Sequence, residues 1–390
     1  MSKLRNERGS SPARAPAFPR SHVAVIGGGP IGLETALAAV NSGHTVRVYE
    51  RSCVGGNIDC WGHVTLFTPF GINASSAGQA ALNSQNIRLP GAHELLTGHE
   101  FRNRYLLPLS RMEPLQGCIH QGCEVVTVGR PHLWKGDDIA STKRSDDGFQ
   151  LLIREHVKQS TREFFAFADY VFDCSGTYTH HNWMGAGGIP AIGERAILSE
   201  HDYRIPDVLG QDRGRFANRS TLIAGSGFSA ATAAVAIHEL SLQFPQSRAV
   251  WLTRSRRHPP IASIENDTLP ERSRLARQAN ELAVSDSTAC RWLPDSCVHQ
   301  LHRKNNGQIE VQLSSGDAPT HIEVVDQVIV QTGFRPDRTL YEELHVHECY
   351  ASQGPMKLAA TRMATQSPDC MAQPASEADA LLNPEPHLFI

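Results

Sequence analysis

Three hundred and ninety residues, 40% of them apolar, predict two or three globular domains with sizeable cores. With 37 Lys+Arg against 40 Asp+Glu, net −3, no partner held mainly by phosphate neutralisation is expected, so nucleic-acid binding is set aside. No run approaches the roughly 18–20 apolar residues of a membrane span and the N-terminus has no apolar secretory core, so neither membrane insertion nor secretion is expected.

Residues 1–20, with Pro12, Pro16, Pro19 and five Lys/Arg, hold too little apolar surface to offset ordering entropy and predict a disordered leader. Their Arg and Ser content leaves an organelle transit peptide as the alternative. A strand is predicted at His22–Ile26, followed by the turn Gly27-Gly-Gly29-Pro30-Ile31-Gly32, a helix over Leu33–Val40, Gly43 as helix stop, and a strand Thr45–Tyr49 ending in Glu50. Gly27 permits a tight turn, Gly29 leaves room for a pyrophosphate, and Gly32 allows close helix–strand packing. The helix start aims free N–H groups at phosphate, and an acid such as Glu50 at the next strand end suits a ribose hydroxyl.

Further along, Cys123–Val128, Phe149–Ile153 and Tyr170–Asp173 read as strands of an antiparallel insertion spanning about 120–175. About 200 residues after its first appearance the strand–turn–helix unit repeats: Ser220–Ala224, then Gly225-Ser-Gly227-Phe228-Ser229-Ala230, a helix through Leu240, and a strand Ala249–Thr253. This second copy has no acid at its strand end. It carries Arg254 and Arg256, whose planar guanidinium forks suit a 2′-phosphate and select NADPH over NADH; a solvated basic turn is the alternative. A charged, solvated helix is expected over Glu265–Glu281, with strands near Ile309–Leu313 and Ile322–Val330. The segments Val171–Thr177, with Ser175-Gly176, and Val328–Asp337, with Thr332-Gly333, are each an apolar strand ending in a small-residue turn where backbone can approach a ligand.

Together, these turns and strands resemble those of flavoproteins with two dinucleotide-binding domains, the broad group of thioredoxin reductases, flavin-containing monooxygenases and N-hydroxylating monooxygenases. The resemblance runs from Ser21 to Ile390 and includes the segment Gly55–Pro69 and Thr332-Gly-Phe-Arg-Pro-Asp337. It implies an α/β fold with two Rossmann-like dinucleotide-binding domains, an FAD domain with an inserted NADPH domain, plus a small antiparallel β insertion. The implied layout is an FAD domain over 21–190, an NADPH domain over 191–335, and a return to the FAD domain over 336–390. By resemblance, Gly27, Gly29, Pro30, Ile31, Gly32, Glu50 and Arg51 hold FAD, Gly56, Asn57, Trp61, His63 and Val64 run beside the flavin, and Val125 meets the adenine through its backbone. Gly225, Gly227, Phe228, Ser229 and Ala230 then hold NADPH, with Ser175, Gly176, Thr332 and Gly333 at the crossings between domains.

The sequence departs from its relatives in three places. It lacks the F-x-G-x-x-x-H-x-x-x-W/P signature of Baeyer–Villiger enzymes, and it lacks a redox-active C-x-x-C or C-x-x-x-x-C pair beside the flavin segment. Its end, Asn383-Pro-Glu-Pro386 followed by His387-Leu-Phe-Ile390, reads as a strand that starts and stops, so that part of the FAD site is expected to be missing. Nine cysteines, an odd number with no C-x-x-C, read as reduced thiols in the cytoplasm, and the pairs Cys53/Cys60 and Cys118/Cys123 are expected to be packing or surface thiols rather than a catalytic dithiol. His63 is the candidate catalytic residue, because imidazole titrates near neutrality and the resemblance puts it beside the flavin. No metal site is expected: His180-His181 has no accompanying ligand spacing. These features predict an FAD-dependent NADPH oxidoreductase, a monooxygenase acting on a small organic molecule with O2. The alternatives are a disulfide-type reductase and a cofactor-binding protein without turnover.

Overall fold

The structure is a computed structural model describing residues 20–157, 160–315, 318–365, 369–373 and 378–390. Apart from Arg20, the leader expected over 1–20 lies outside the described residues.

The chain begins with β1 (His22–Ile26), helix α1 (Pro30–Asn41) and β2 (Thr45–Glu50), and β1 and β2 pair in parallel from His22–Thr45 to Ile26–Tyr49. After a largely helical stretch, β3 (Ile119–Gln121) joins β2 in parallel. Next comes an antiparallel three-stranded sheet of β4 (Cys123–Gly129), β5 (Phe149–Val157) and β6 (Ser160–Ala168). The chain returns through β7 (Tyr170–Asp173) to the other side of β1, again in parallel, and leaves through the two-residue β8 (His180–His181).

The second half repeats the plan. Strand β9 (Ser220–Ala224), helix α2 (Phe228–Ser241), β10 (Arg248–Leu252), helix α3 (Pro270–Val284) and β11 (Cys290–Leu293) place three strands in parallel. An antiparallel sheet of β12 (Cys297–Arg303), β13 (Ile309–Ser315) and β14 (Ala318–Val325) follows, and β15 (Gln327–Val330) completes the parallel sheet beside β9. The chain crosses back through β16 (Phe334–Arg335), which pairs antiparallel with β8, and ends with β17 (Leu388–Phe389) in parallel on β7. Among the described residues no helix is long and apolar enough to cross a membrane.

Each parallel sheet is covered by its own helix for a reason visible in the side chains. Helix α1 buries Gly32, Leu33, Ala36 and Leu37, and α2 buries four alanines with Ile237 and Leu240. Small residues let a helix axis approach a parallel sheet that is apolar on both faces. Helix α3 starts at Pro270, later than the charge pattern suggests, because proline is favoured in the first helical turn. Its Leu275, Ala276, Ala279 and Leu282 pack into the second core, so it is amphipathic rather than wholly solvated.

Two strand expectations change. Tyr170–Asp173 is not part of the antiparallel insertion; it is an interior parallel strand between β1 and β17, and Val171 is fully buried there. The stretch Ile322–Val330 is two strands broken at Asp326, whose carboxylate accepts from the Ser220 N–H at 2.8 Å and the Ser220 hydroxyl at 2.9 Å. That turn carries the chain from the antiparallel β14 to the parallel β15. Strand β6 has no counterpart in the sequence reading: Phe165 and Phe167 face outward, so no buried alternation marks it.

The closing strand is anchored by charge. Glu385 is fully buried and accepts from the Arg130 guanidinium at 2.9 Å and from Arg144 at 2.9 Å, and both arginine side chains are buried as well. Backbone carbonyls of Asp147, Pro386, Trp134 and Asp137 accept further guanidinium N–H groups. The cluster thus ties the segment before β17 to the antiparallel sheet.

Candidate functional site

The first turn leaves β1 at Gly27, where φ is +101° and a Cβ would lie 2.6 Å from the Cys174 carbonyl oxygen. Only glycine fits there. A Cβ at Gly32 would overlap the Gly27 carbonyl, while one at Gly29 would meet nothing within 4 Å. The turn is therefore tight at both ends and open in the middle, where an extended ligand can approach the backbone. Helix α1 begins there with Pro30 in its first turn and no side chain capping its N-terminus, which leaves its dipole and N–H groups to an anion. Glu50 closes the turn from β2: its carboxylate accepts from the Gly28 N–H at 2.7 Å, the Ser52 N–H at 2.8 Å and the Ser52 hydroxyl at 3.1 Å.

A groove runs from this turn. Gly27, Glu50, Arg51, Asn57, Val125 and Ser175 line it, joined by Thr179, Asp337 and Leu340. Gly176, with φ +75°, follows Ser175 at the end of β7. Burial pushes the Asp173 carboxyl up, opposed by the Ser175 N–H that donates to it at 2.9 Å. For Asp337 burial also acts upward, yet the Thr339 donors and His180 hold it below the usual carboxylate range. His180 lies 3.3 Å from Asp337. Among the described residues no group of three His, Cys, Asp or Glu side chains is arranged to hold a metal ion.

The second turn has the same shape. Gly225 has φ +148°, and a Cβ there would lie 2.8 Å from the Gln331 carbonyl carbon; a Cβ at Gly227 would meet nothing within 4 Å. Gly227, Ser229, Arg254, Thr332 and Gly333 line a cavity of about 430 Å³, and Asn57, Cys60 and Trp61 of the first half line the same space. Asn57 and Thr179 belong to both the groove and the cavity, so the two spaces join at those residues. The crossing segments frame the junction, with the Asn182 N–H donating to the Gly333 carbonyl at 2.9 Å and the Thr332 hydroxyl to the Asn182 carbonyl at 2.5 Å.

Several site candidates stand outside this space. His63 and Val64 are half-buried and line neither groove nor cavity, and the His63 Nε2 is buried without a partner. Ile31 is exposed on α1, and Gly56 starts the short helix Gly56–Asp59 with its Cβ position filled by Ser52. Phe228 packs edge-on against Phe67 at 5.2 Å, and Ala230 is fully buried in the helix. Arg256 is exposed and paired with Asp295 at 2.8 Å, whereas Arg254 lines the cavity.

The sequence reading passed over Tyr178 and Thr179, which directly follow the segment Val171–Thr177 and could have been found by extending it. It also missed His181, Tyr203, Gln331 and Cys297 as lining residues. Tyr203 and Cys297 carried no signal, since each reaches the cavity from a loop or strand start distant in sequence.

Cys53, Cys60, Cys118, Cys123, Cys174, Cys290, Cys297 and Cys349 are free thiols. Cys60 and Cys297 line the cavity, and burial pushes the Cys297 thiol up while Arg254 acts against it. Burial raises the thiols of Cys118 and Cys123 as well.

No protein-family model matches the sequence, and no curated protein matches it. Solved structures do match. A thioredoxin reductase from T. acidophilum aligns over 95% of this chain and 89% of its own at 14% identity, TM-score 0.57. An FAD-bound cadaverine monooxygenase of desferrioxamine biosynthesis from Erwinia amylovora aligns over 87% and 86% at 13% identity, TM-score 0.58. An ornithine hydroxylase from Pseudomonas aeruginosa aligns over 83% and 85% at 16% identity, TM-score 0.51. At these identities the likeness is one of fold: a mixed helix–strand chain with the parallel, Rossmann-like sheets of dinucleotide-binding flavoproteins.

Proposed function

We propose that the protein is an FAD-dependent oxidoreductase that takes electrons from NADPH and oxygenates a small organic molecule with O2. The observation that carries this reading is the continuity of the groove below the first Gly-rich turn with the cavity below the second. A dinucleotide on each turn would bring its reactive end toward the shared space at Asn57 and Thr179. FAD fits the first turn on three counts: the open Cβ position at Gly29, the uncapped start of α1, and an acid at the strand end. When bound, the flavin accepts a hydride equivalent and passes electrons on; the protein supplies binding, orientation and exclusion of water.

In this reading Gly27, Gly29 and the α1 start hold the pyrophosphate, Glu50 the ribose, and Val125 and Arg51 flank the adenosine end. Arg254, which lines the cavity at the end of β10, receives the 2′-phosphate of NADPH, and Gly227 and Ser229 receive its pyrophosphate. The FAD part comprises residues 21–190 and 336–390 and the NADPH part 191–335, and unpaired cysteines support a reducing, cytoplasmic setting.

Transfer to O2 is favoured over thiol exchange by the cysteines. A dithiol route needs two neighbouring thiols, one with thiolate character, and the cavity offers Cys60 opposite a burial-raised Cys297. Cys60 beside Trp61, together with the fold-level likeness to a thioredoxin reductase, stands on the side of a disulfide-type reductase. The deciding experiment is anaerobic: the purified protein shows a flavin spectrum, NADPH bleaches it, and air restores it without added disulfide. A flavin spectrum that NADPH leaves unbleached overturns the reading. Recovery only on adding a disulfide moves the protein to the reductases.

A further inference from the structure

His181 sits in β8, on the crossing between the halves, and lines the cavity. Two aromatic rings fix its orientation: Tyr203 stacks on it with centroids 3.5 Å apart and planes at 22°, and Trp183 meets it edge-on at 4.4 Å. Tyr203 is pinned in turn, because its hydroxyl donates to Glu194 at 2.9 Å, and that fully buried carboxylate also accepts from the Ala191 N–H at 2.7 Å. An imidazole held this firmly would be expected to have both nitrogens satisfied, yet the Nε2 is buried and has no partner in the chain. Such a group calls for a water, an ion or a ligand.

The neighbourhood indicates which. The Gln331 side chain donates to the Arg204 carbonyl at 2.9 Å, next to Tyr203, and the Gln331 backbone is what blocks a Cβ at Gly225. Gln331 therefore links the two, its side chain at the segment that carries Tyr203 and its backbone at the mouth of the second Gly-rich turn. Burial pushes the imidazole below its ordinary value; Glu200 acts upward, and Arg335 and His180 act downward. The ring is thus neutral near pH 7, with one nitrogen donating and the other accepting.

We propose that His181 is a ligand-binding residue of the second Gly-rich turn, its clamped imidazole hydrogen-bonding the phosphate or ribose oxygens of the nicotinamide dinucleotide. This rests on the reading that the second turn takes such a dinucleotide. His181, rather than His63, is then the histidine that contacts ligand, and Tyr203 and Glu194 are positioning residues acting through it.

The test is a titration of the flavin-loaded protein with NADP+, read by calorimetry and by 15N resonances of labelled histidine. The unmodified protein binds NADP+ and the His181 ring signals move. H181F binds about tenfold more weakly while flavin content and thermal midpoint stay unchanged, and H181Q, which keeps a donor, recovers to within about threefold. Wild-type affinity in folded H181F overturns the proposal and leaves the dinucleotide reading standing. Absence of NADP+ binding to the unmodified protein overturns that reading and this proposal together. If H181F loses its flavin, the ring signals decide alone, and static signals at saturating NADP+ overturn the assignment.

Discussion

The two Gly-rich turns share a backbone plan and differ in tightness. In both, the first glycine has positive φ and its missing Cβ leaves room for a carbonyl of a crossing segment, at Cys174 in one and Gln331 in the other. In both, the middle glycine faces open space. At the third position they part: a methyl at Gly32 would overlap the Gly27 carbonyl, whereas the methyl of Ala230 is fully buried without displacing the turn. The strand ends differ too. Glu50 folds back onto the Gly28 N–H, while in the second half the Trp251 indole N–H donates to the Gly225 carbonyl at 2.8 Å and the strand end is left to Arg254. The same loop skeleton thus accepts different closing chemistry, a carboxylate on a backbone N–H in one half and an indole N–H on a carbonyl in the other.

Exchanging the third-position residues tests the difference in tightness most severely. Gly32→Ala is expected to cost about 4 kcal/mol, above the usual overpacking penalty because a methyl meets backbone rather than a yielding side chain. Ala230→Gly should cost only about 1 kcal/mol, from helix propensity. Urea midpoints of the two variants measure this, and equal losses would erase the distinction.

The sheets also differ in how their edges are closed. β15 is held by a partly buried Asp326–Ser220 contact, and β17 by the fully buried Arg130–Glu385–Arg144 cluster. Glu385→Gln should cost about 3 kcal/mol by leaving two buried guanidinium groups with an uncharged partner. Burial acts to raise the Glu385 carboxyl, but Arg144, the His345 N–H and Arg130 hold it below its usual value. A depressed carboxyl contributes stability above the unfolded pKa of about 4.3, and that contribution fades as pH falls through the folded value. Denaturation midpoints from pH 7 to pH 3 should therefore fall more steeply for the unmodified protein than for the variant.

Filling the open middle positions separates the two nucleotides. Gly29→Val should leave the fold intact and abolish flavin retention, because the Cβ meets only the space assigned to the pyrophosphate. Gly227→Val should retain flavin and lose NADPH-driven bleaching. Normal flavin content in Gly29→Val would reverse the assignment of the turns.

The arginines give a smaller effect. Arg254→Ala should raise the Michaelis constant for NADPH about tenfold with little change for NADH, as expected for loss of a charge-assisted phosphate contact. Arg256→Ala should change either by less than about twofold, because that guanidinium is exposed and paired with Asp295. Steady-state kinetics with both cofactors decides, and equal losses with NADPH and NADH would remove the selectivity claim. Smallest of all, replacing Cys53, Cys60, Cys118 and Cys123 together by Ser should leave NADPH oxidation in air unchanged. A folded, flavin-loaded variant without turnover would transfer the protein to the reductases.

What the sequence determined by itself were the locally encoded parts. β1, β2 and β9 fall at the expected residues and the chain turns at Gly27 and Gly225, because strand–glycine–helix junctions are specified by φ > 0 positions and short-range packing; the two helices, however, start inside the expected turns, at Pro30 and Phe228, so Gly32 and Ala230 are helical. Which half-buried residues meet was decided only in three dimensions. The short segment Tyr170–Asp173, three apolar residues and an acid, is compatible with either sheet, and only the vacant side of β1 makes it a parallel interior strand. His63 follows Trp61 closely in sequence, yet the chain turns it away from the cavity that Trp61 lines. Arg254 and Arg256 read alike until Asp295, nearly forty residues on, engages one of them. His181, Tyr203 and Gln331 come together from a crossing strand, a loop and the end of β15, and no local pattern records that meeting, because packing at a junction depends on the relative placement of elements already formed.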